Sequence, residues 1–379
     1  MSAMNLKRST IATSTGLKGI RRCVMAPRLS HSKIFSVASL EEIKMMTKKS
    51  PWTIRAALFF RRMLIICLFL LVGACVIPFS ANAFDVLLGT GEPGSFSYFS
   101  GRTICRIINK QVEDLHCTVA PAANDVHNLT NLQGGSLDVC LTDSRMLYDA
   151  VSGKGNFEFF DISYDNLREM VTLYDVPMSL VVRENAGITR LDNLKGKRIN
   201  AGAPRSPQHF VVDTLMGIKS WSNKDFSLLE ELPPSLSQDT MAFCHGAIQA
   251  MVHIGVHPDP ALQQLFRLCQ ARLLTLSQAD MGALLNSHPA FIRAEIPADT
   301  YSSFPEKVTT FGTQIKLVTS SNLDDETVYA ILDALYNDRN SLKKAHPTLG
   351  EFMGSESEKG DTDIKRHPGA VKFFVEQGL

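Results

Sequence analysis

The stretch Phe84–Lys110, FDVLLGTGEPGSFSYFSGRTICRIINK, constrains this chain most. It reads as an apolar strand, a glycine-rich turn and an amphipathic helix, and it directly follows a segment shaped like an export signal. Gly89, Gly91 and Gly94 fit G-x-G-x-x-G, the dinucleotide fingerprint. That reading is weak, because no acidic residue closes the second strand: His116–Ala120 runs straight into Pro121. Two readings stand against it. The loop is a tight structural turn, or it is one wall of a ligand cleft offering Gly91 and the side chains of Ser95, Ser97 and Tyr98.

The export signal has three parts. Arg61 and Arg62 form a basic start, Met63–Ile77 is an apolar run ended by Pro78, and Ala81-Asn82-Ala83 places small residues at a cleavage site. The run is shorter than the about 20 residues a bilayer span needs. Cleavage after Ala83 is expected, with lipoprotein processing at Cys75 or an uncleaved anchor as alternatives. Residues 1–60 make too long a leader and read as mis-assigned or untranslated, since Met25, Met45, Met46 and Met63 all offer internal starts. The whole chain has 39 basic and 38 acidic residues. Residues 1–83 hold 13 of the basic residues but only Glu41 and Glu42 among the acids, leaving 26 against 36, a formal net of −10. An acidic periplasmic protein is expected, with neither nucleic acid nor an anionic membrane surface as partner.

Beyond Ala83 five cysteines remain, Cys105, Cys117, Cys140, Cys244 and Cys269, none in a metal-like spacing. They read as buried small apolar residues, with a single disulfide of unassigned pairing as the alternative. Short apolar runs alternate with amphipathic ones almost throughout, which predicts an α/β fold with helices on the faces of a largely parallel sheet. Strand candidates include Asp85–Gly89, Leu137–Leu141, Arg168–Leu173, Ser179–Arg183, Ala250–Ile254 and Gly312–Val318. Helix candidates include Phe99–Lys110, Ser144–Ser152, Pro207–Ile218, Ser235–His245 and Asp324–Ala345, and Gly354–Asp363 reads as an exposed loop. The strand Ile199–Ala201 opens into Gly202-Ala203-Pro204-Arg205-Ser206-Pro207, with Ser206 as helix N-cap and Pro207 as the first helical residue. Two strand–turn–helix units therefore point helix N-termini at whatever lies beyond the strand ends, a placement suited to anions.

The order of these motifs resembles the TAXI-type solute receptors of tripartite (TRAP) transporters. The resemblance rests on VLLGTG, GGSLDVCLTDSRMLYDAVSG (134–153), LVVRENAGITRLDNLKGKRINAGAP (180–204), MVHIGVHP (251–258), IPADTY (296–301) and HPGAVKFFVEQGL (367–379). It implies a two-lobed, type II-like Venus-flytrap fold with two hinge crossings, near Val176–Val182 and Thr310–Val318. One lobe would be 84–177 plus 314–379 and the other 178–313. It also implies a non-catalytic receptor, without cofactor, handing an anionic or zwitterionic amino acid or organic acid to a separate multi-span TRAP permease; a monomer is expected. A sensory or interaction role on the same fold is the first alternative, followed by an enzyme on a bilobal scaffold and a dinucleotide-binding protein.

The loops depart from the family pattern. Glu92-Pro93 stands where small residues are usual, Asp143-Ser144-Arg145 replaces Gln-Ser-Asp, and Arg205-Ser206-Pro207-Gln208 replaces a glycine-serine turn. The expected ligand contacts are Gly91, Glu92, Ser95, Ser97, Tyr98, Asp143, Ser144, Tyr174, Arg205, Ser206, Gln208 and His253. Arg205 would clamp a ligand carboxylate, with Arg145 as second candidate, and Glu92 would meet a ligand cation. Ser144 is alternatively a helix N-cap, and Tyr174 alternatively packs the hinge. His253 and His257 lie four apart, but no third metal ligand follows from the sequence, so a cleft contact is expected of His253 rather than a metal site.

Overall fold

A computed structural model describes residues 84–231, 236–302, 305–351 and 364–379, together with Met63. The expected signal segment 61–83 (Met63 apart), Cys75, the leader 1–60 and the whole loop Gly354–Asp363 lie outside the described residues.

The alternating pattern folds into one ten-stranded mixed sheet in the order β2-β1-β3-β10-β4-β7-β5-β6, with β8 paired to β4 and β9 to β10. The strands are β1 (Phe84–Thr90), β2 (Leu115–Pro121), β3 (Val139–Asp143), β4 (Leu167–Arg183), β5 (Arg198–Asn200), β6 (Leu228–Glu230), β7 (Ala250–Ile254), β8 (Ala271–Leu273), β9 (Ile292–Ile296) and β10 (Val308–Ser320). Pairing is parallel where helices cross over, as in β1–β2, β1–β3, β5–β6 and β5–β7. It is antiparallel along β4 and β10, which run side by side from Leu167↔Ser320 to Met178↔Phe311.

These two strands divide the core. On one side α1 (Phe96–Gln111), α8 (Asp325–Asn337) and α10 (Pro368–Gln377) cover a cluster around Leu88, Ile104, Leu317 and Phe373. There, α2 (Asp125–Gln133) and α3 (Ser144–Ser152) cover another, around Leu129, Leu147 and Phe157. Past the crossing, α4 (Pro207–Lys219) and α7 (Gln278–Ser287) pack around Leu180, Leu215 and Met281. Here, α5 (Leu236–Cys244) and α6 (Pro260–Cys269) pack around Val181, Phe243 and Tyr301. The helix α9 (Arg339–Ala345) adds Leu342 to the first cluster. Each lobe thus has cores on both sheet faces, and β4 and β10 carry the chain between lobes. At the crossing Gly312 faces Pro177, and a Cβ on Gly312 would collide with the Val176 carbonyl oxygen, so only glycine allows the strands to approach this closely.

The cysteines correct the apolar reading. Cys105 of α1 is bonded to Cys117 of β2, and Cys244 to Cys269, while Cys140 is free and buried. The first bridge pins a helix to the edge strand of the sheet, and the second ties the end of α5 to the end of α6. No helix among the described residues is long and apolar enough to cross a membrane.

Candidate functional site

Parallel strands deliver their carboxyl ends to one rim of each lobe, and most of the predicted contacts, though not Tyr174, lie at or just after such strand ends. In the first lobe the Gly91–Ser95 turn leads into α1, which starts three residues before the sequence pattern suggests. Ser95 caps the helix by accepting from the Tyr98 backbone N–H at 3.2 Å. Ser97 Oγ accepts from the Gly91 N–H, also at 3.2 Å. The turn therefore satisfies its own polar atoms. Glu92 stands exposed at its tip. Ser95 and Tyr98 also line an open groove of about 990 Å³ along α1 and β2, shared with Phe99, Arg102 and Arg106.

At the end of β3 it is Asp143, not Ser144, that caps α3, accepting from the Arg145 N–H at 2.8 Å. The other Asp143 oxygen accepts from the Thr313 hydroxyl. The Asp143 backbone N–H donates to Asp125 Oδ2 at 2.8 Å. Burial raises both carboxyls above their ordinary range, Asp125 to about 6. Ser144 is buried and fully used: it donates to the Ala290 carbonyl at 3.3 Å and accepts from the Gln314 N–H at 3.1 Å, joining the first lobe to the second. Tyr174 is buried against Phe96 with ring centroids 5.3 Å apart, and its hydroxyl lies 3.5 Å from Ser100 Oγ. It packs the hinge.

In the second lobe the turn after β5 requires Gly202, whose φ is +81° and whose added Cβ would lie 2.8 Å from both Gln208 Cβ and Ser206 Oγ. Ser206 is the N-cap of α4 and Pro207 its first residue, as the sequence predicts. Arg205 is exposed at the tip, in the left-handed region with φ +68°. Gln208 is half-buried.

The most informative wall is at β7. His253 sits directly opposite Ser179 of β4 in the strand register, so their side chains leave the same sheet face. Neither Ser179 Oγ nor His253 Nε2 has a hydrogen-bond partner, although both atoms are buried. The His257 ring lies edge-on to His253 at 5.7 Å, and its Nε2 is likewise buried without a partner. The other nitrogen of His257, Nδ1, lies 2.6 Å from the Tyr301 hydroxyl, which accepts from the Asp259 N–H at 2.8 Å. The Tyr301 hydroxyl thus bridges the His257 ring and the Asp259 backbone N–H. Burial lowers both imidazoles, His257 to about 4, so both are neutral at pH 7. Among the described residues no group of three His, Cys, Asp or Glu side chains comes together as a metal site.

Sequence reasoning did not find Ser179, His257, Tyr301 or Asp125 as members of these polar clusters. Only the GVHP turn offered a signal, by fixing His257 near the end of β7.

The lobes touch on both flanks of this wall. On one flank Thr348 Oγ1 donates to the His257 carbonyl at 3.1 Å, beside the Phe96–His346 ring contact of the first lobe at 4.7 Å. On the other, Arg145 pairs with Asp149 at 3.2 Å and covers the Phe210 ring, while His288 Nε2 lies 3.5 Å from Asp149. Arg145 is thereby committed to an interlobe contact rather than free to clamp a ligand. The arrangement places polar atoms without partners at Ser179, His253 and His257 beside the contacts between the lobes.

A family model spans residues 88–378, from β1 to α10. The chain belongs to the NMT1-like family. Solved structures similar to this NMT1-like chain include PhnD1 from Prochlorococcus marinus in complex with methylphosphonate, at 12% identity and TM-score 0.46, covering 78% of this chain and 99% of that one. The periplasmic aliphatic sulphonate binding protein SsuA from Escherichia coli matches at 13% identity and TM-score 0.43, covering 78% and 88%. A putative L-cystine ABC transporter from Listeria monocytogenes matches at 12% and 0.40, covering 70% and 96%. With TM-scores below 0.5, these likenesses add nothing to the family assignment.

Proposed function

We propose that this NMT1-like protein is a non-catalytic, extracytoplasmic solute receptor that closes two lobes over a small anionic or zwitterionic metabolite. The observation carrying this reading is the group of buried, unpartnered atoms at Ser179, His253 and His257 beside the interlobe crossing. Such atoms are costly unless something meets them, and a ligand held between lobes would do so. The lobes would be 84–177 with 314–379, and 178–313. Arg205 and Glu92, exposed at the tips of the two strand–turn–helix loops, would meet opposite charges of an amino or organic acid. Gly91, Ser95, Ser97, Asp143, Ser144, Ser206 and Gln208 would shape the loops around it, and Tyr98 would border the entrance. Two disulfides suit an oxidising compartment, in keeping with export to the periplasm. Delivery would be to a separate multi-span permease, of the TRAP type by the motif resemblance.

The test is a thermal-shift screen of the purified protein with amino acids, dicarboxylates and keto acids. A receptor gives a concentration-dependent rise in Tm for one chemical group. A well-folded protein that no small molecule stabilises sinks the reading and favours an interaction role. Loss of uptake on deleting a TRAP-type permease, with a permease of another type left intact, would test the partner.

A further inference from the structure

After α3 the chain forms a short projection, Gly155–Ser163, that the cleft does not use. Phe159 is 91% exposed, and Phe160, Ile162 and Val151 are each more than 40% exposed beside it. Scattered apolar residues are normal on a surface, but contiguous large ones mark contact sites.

This projection is held firmly. Phe157 is buried at its base, edge-on to Tyr164 at 5.1 Å, and the Tyr164 hydroxyl lies 2.9 Å from Thr130 Oγ1. The Phe157 and Phe160 N–H groups donate back to Lys154 and Phe157 carbonyls at 3.0 and 3.1 Å. The backbone that carries the aromatics is therefore anchored, with part of the ordering cost of binding already met in the free protein.

Charge selects the occupant. Glu158 and Asp161 alternate with the aromatics, both exposed and neither in an ion pair among the described residues. Lys154, at the base of the projection, is engaged with the Tyr148 ring and hydroxyl. An anionic bilayer would be repelled, and two identical acidic projections would repel each other.

The base of the projection also reaches the lobe junction. The Lys154 N–H donates to the Asp149 carbonyl at 2.8 Å, and Asp149 carries the contacts to Arg145 and, across the lobes, His288. The base of the knob is thus hydrogen-bonded to a residue that takes part in an interlobe contact.

We propose that Phe159, Phe160 and Ile162 form a docking knob for a partner protein presenting an apolar pocket rimmed by Lys or Arg. The surface itself carries this, whether or not the cleft binds a solute.

The test places the photo-cross-linker p-benzoylphenylalanine at position 159 of the full chain in its own host. The cross-linked polypeptide is then cloned, purified and titrated against wild type, Phe159→Ser/Phe160→Ser and Glu158→Lys/Asp161→Lys. The knob predicts a single foreign polypeptide, weaker binding by about thirtyfold for the serine variant, weaker and less salt-sensitive binding for the lysine variant, and unchanged Tm in both. Four results overturn it: no cross-link, a second copy of this chain confirmed by sedimentation, flotation with phosphatidylglycerol/phosphatidylethanolamine vesicles, or a purified product that binds wild type and serine variant equally.

Discussion

The guanidinium carbon of Arg145 lies 4.3 Å from the centroid of the Phe210 ring, across the junction between the lobes. The same side chain pairs with Asp149, and the two are only 14% and 8% exposed. Removing the cation leaves a buried carboxylate with little but the neighbouring His288. Arg145→Ala is expected to lower unfolding free energy by about 3 kcal/mol. Arg145→Lys keeps the charge but loses the planar stacking, with a loss of about 1 kcal/mol. Urea unfolding gives both values, and a neutral Arg145→Ala would show the lobes are not joined here.

Arg205 should behave in the opposite way. It is exposed and makes no structural contact to lose, so Arg205→Ala should shift Tm little while abolishing ligand-induced stabilisation. Arg205→Gly should also relieve the left-handed backbone and stabilise by about 1 kcal/mol. A ligand shift that survives in Arg205→Ala removes this residue from the site.

Asp125 titrates higher folded than unfolded, about 6 against 3.8. The folded state thus holds the proton more tightly, and this group disfavours folding progressively as pH rises from about 4 to 6. Above that window the cost is constant, about 3 kcal/mol. Asp125→Asn keeps an acceptor for the Asp143 N–H and removes the cost. Relative to wild type, its stability should climb between pH 4 and 6 and then stay level, as read from urea midpoints at each pH.

His257 runs the other way, with about 4 folded against 6.5 unfolded. Below pH 6.5 the unfolded chain takes up the proton first, so stability falls as pH drops and levels off below about 4. The total is about 3 kcal/mol. The two slopes oppose each other in the wild type between pH 4 and 6. His257→Gln should therefore show a stability that declines as pH rises through this window, whereas an unchanged profile would mean that His257 is not held neutral.

The alternation of apolar runs made the α/β class and most strands legible, and Ser206-Pro207 announced α4 by itself. The hinge was harder to read. Asp175 and Pro177 break the apolar pattern, so β4 reads as two strands; in the fold Pro177 lies at the crossing opposite Gly312, where partners change. The strand β9 and helix α7 were missed because IRAEI, though alternating, is only five residues long, and QADMGALLNS carries little amphipathic contrast. The polar wall was hidden for a different reason. Ser179 and His253 become neighbours only through the β4–β7 register, and His257 meets Tyr301, which lies far along the chain. Cys105 and Cys117 likewise needed α1 laid on β2 before their pairing was defined.

The paired strands β4 and β10 have a mechanical consequence. A ribbon bonded along its length resists sliding, because every ladder hydrogen bond would have to break together, yet it twists with little loss. Its register irregularities, between Ile315 and Lys316 and between Leu317 and Val318, both fall on the first-lobe side of Gly312. Bulges are where such a ribbon bends most readily. Opening would then pivot from within the first lobe, carrying the His253 wall away as a rigid body while Tyr174 and Phe96 stay near the axis.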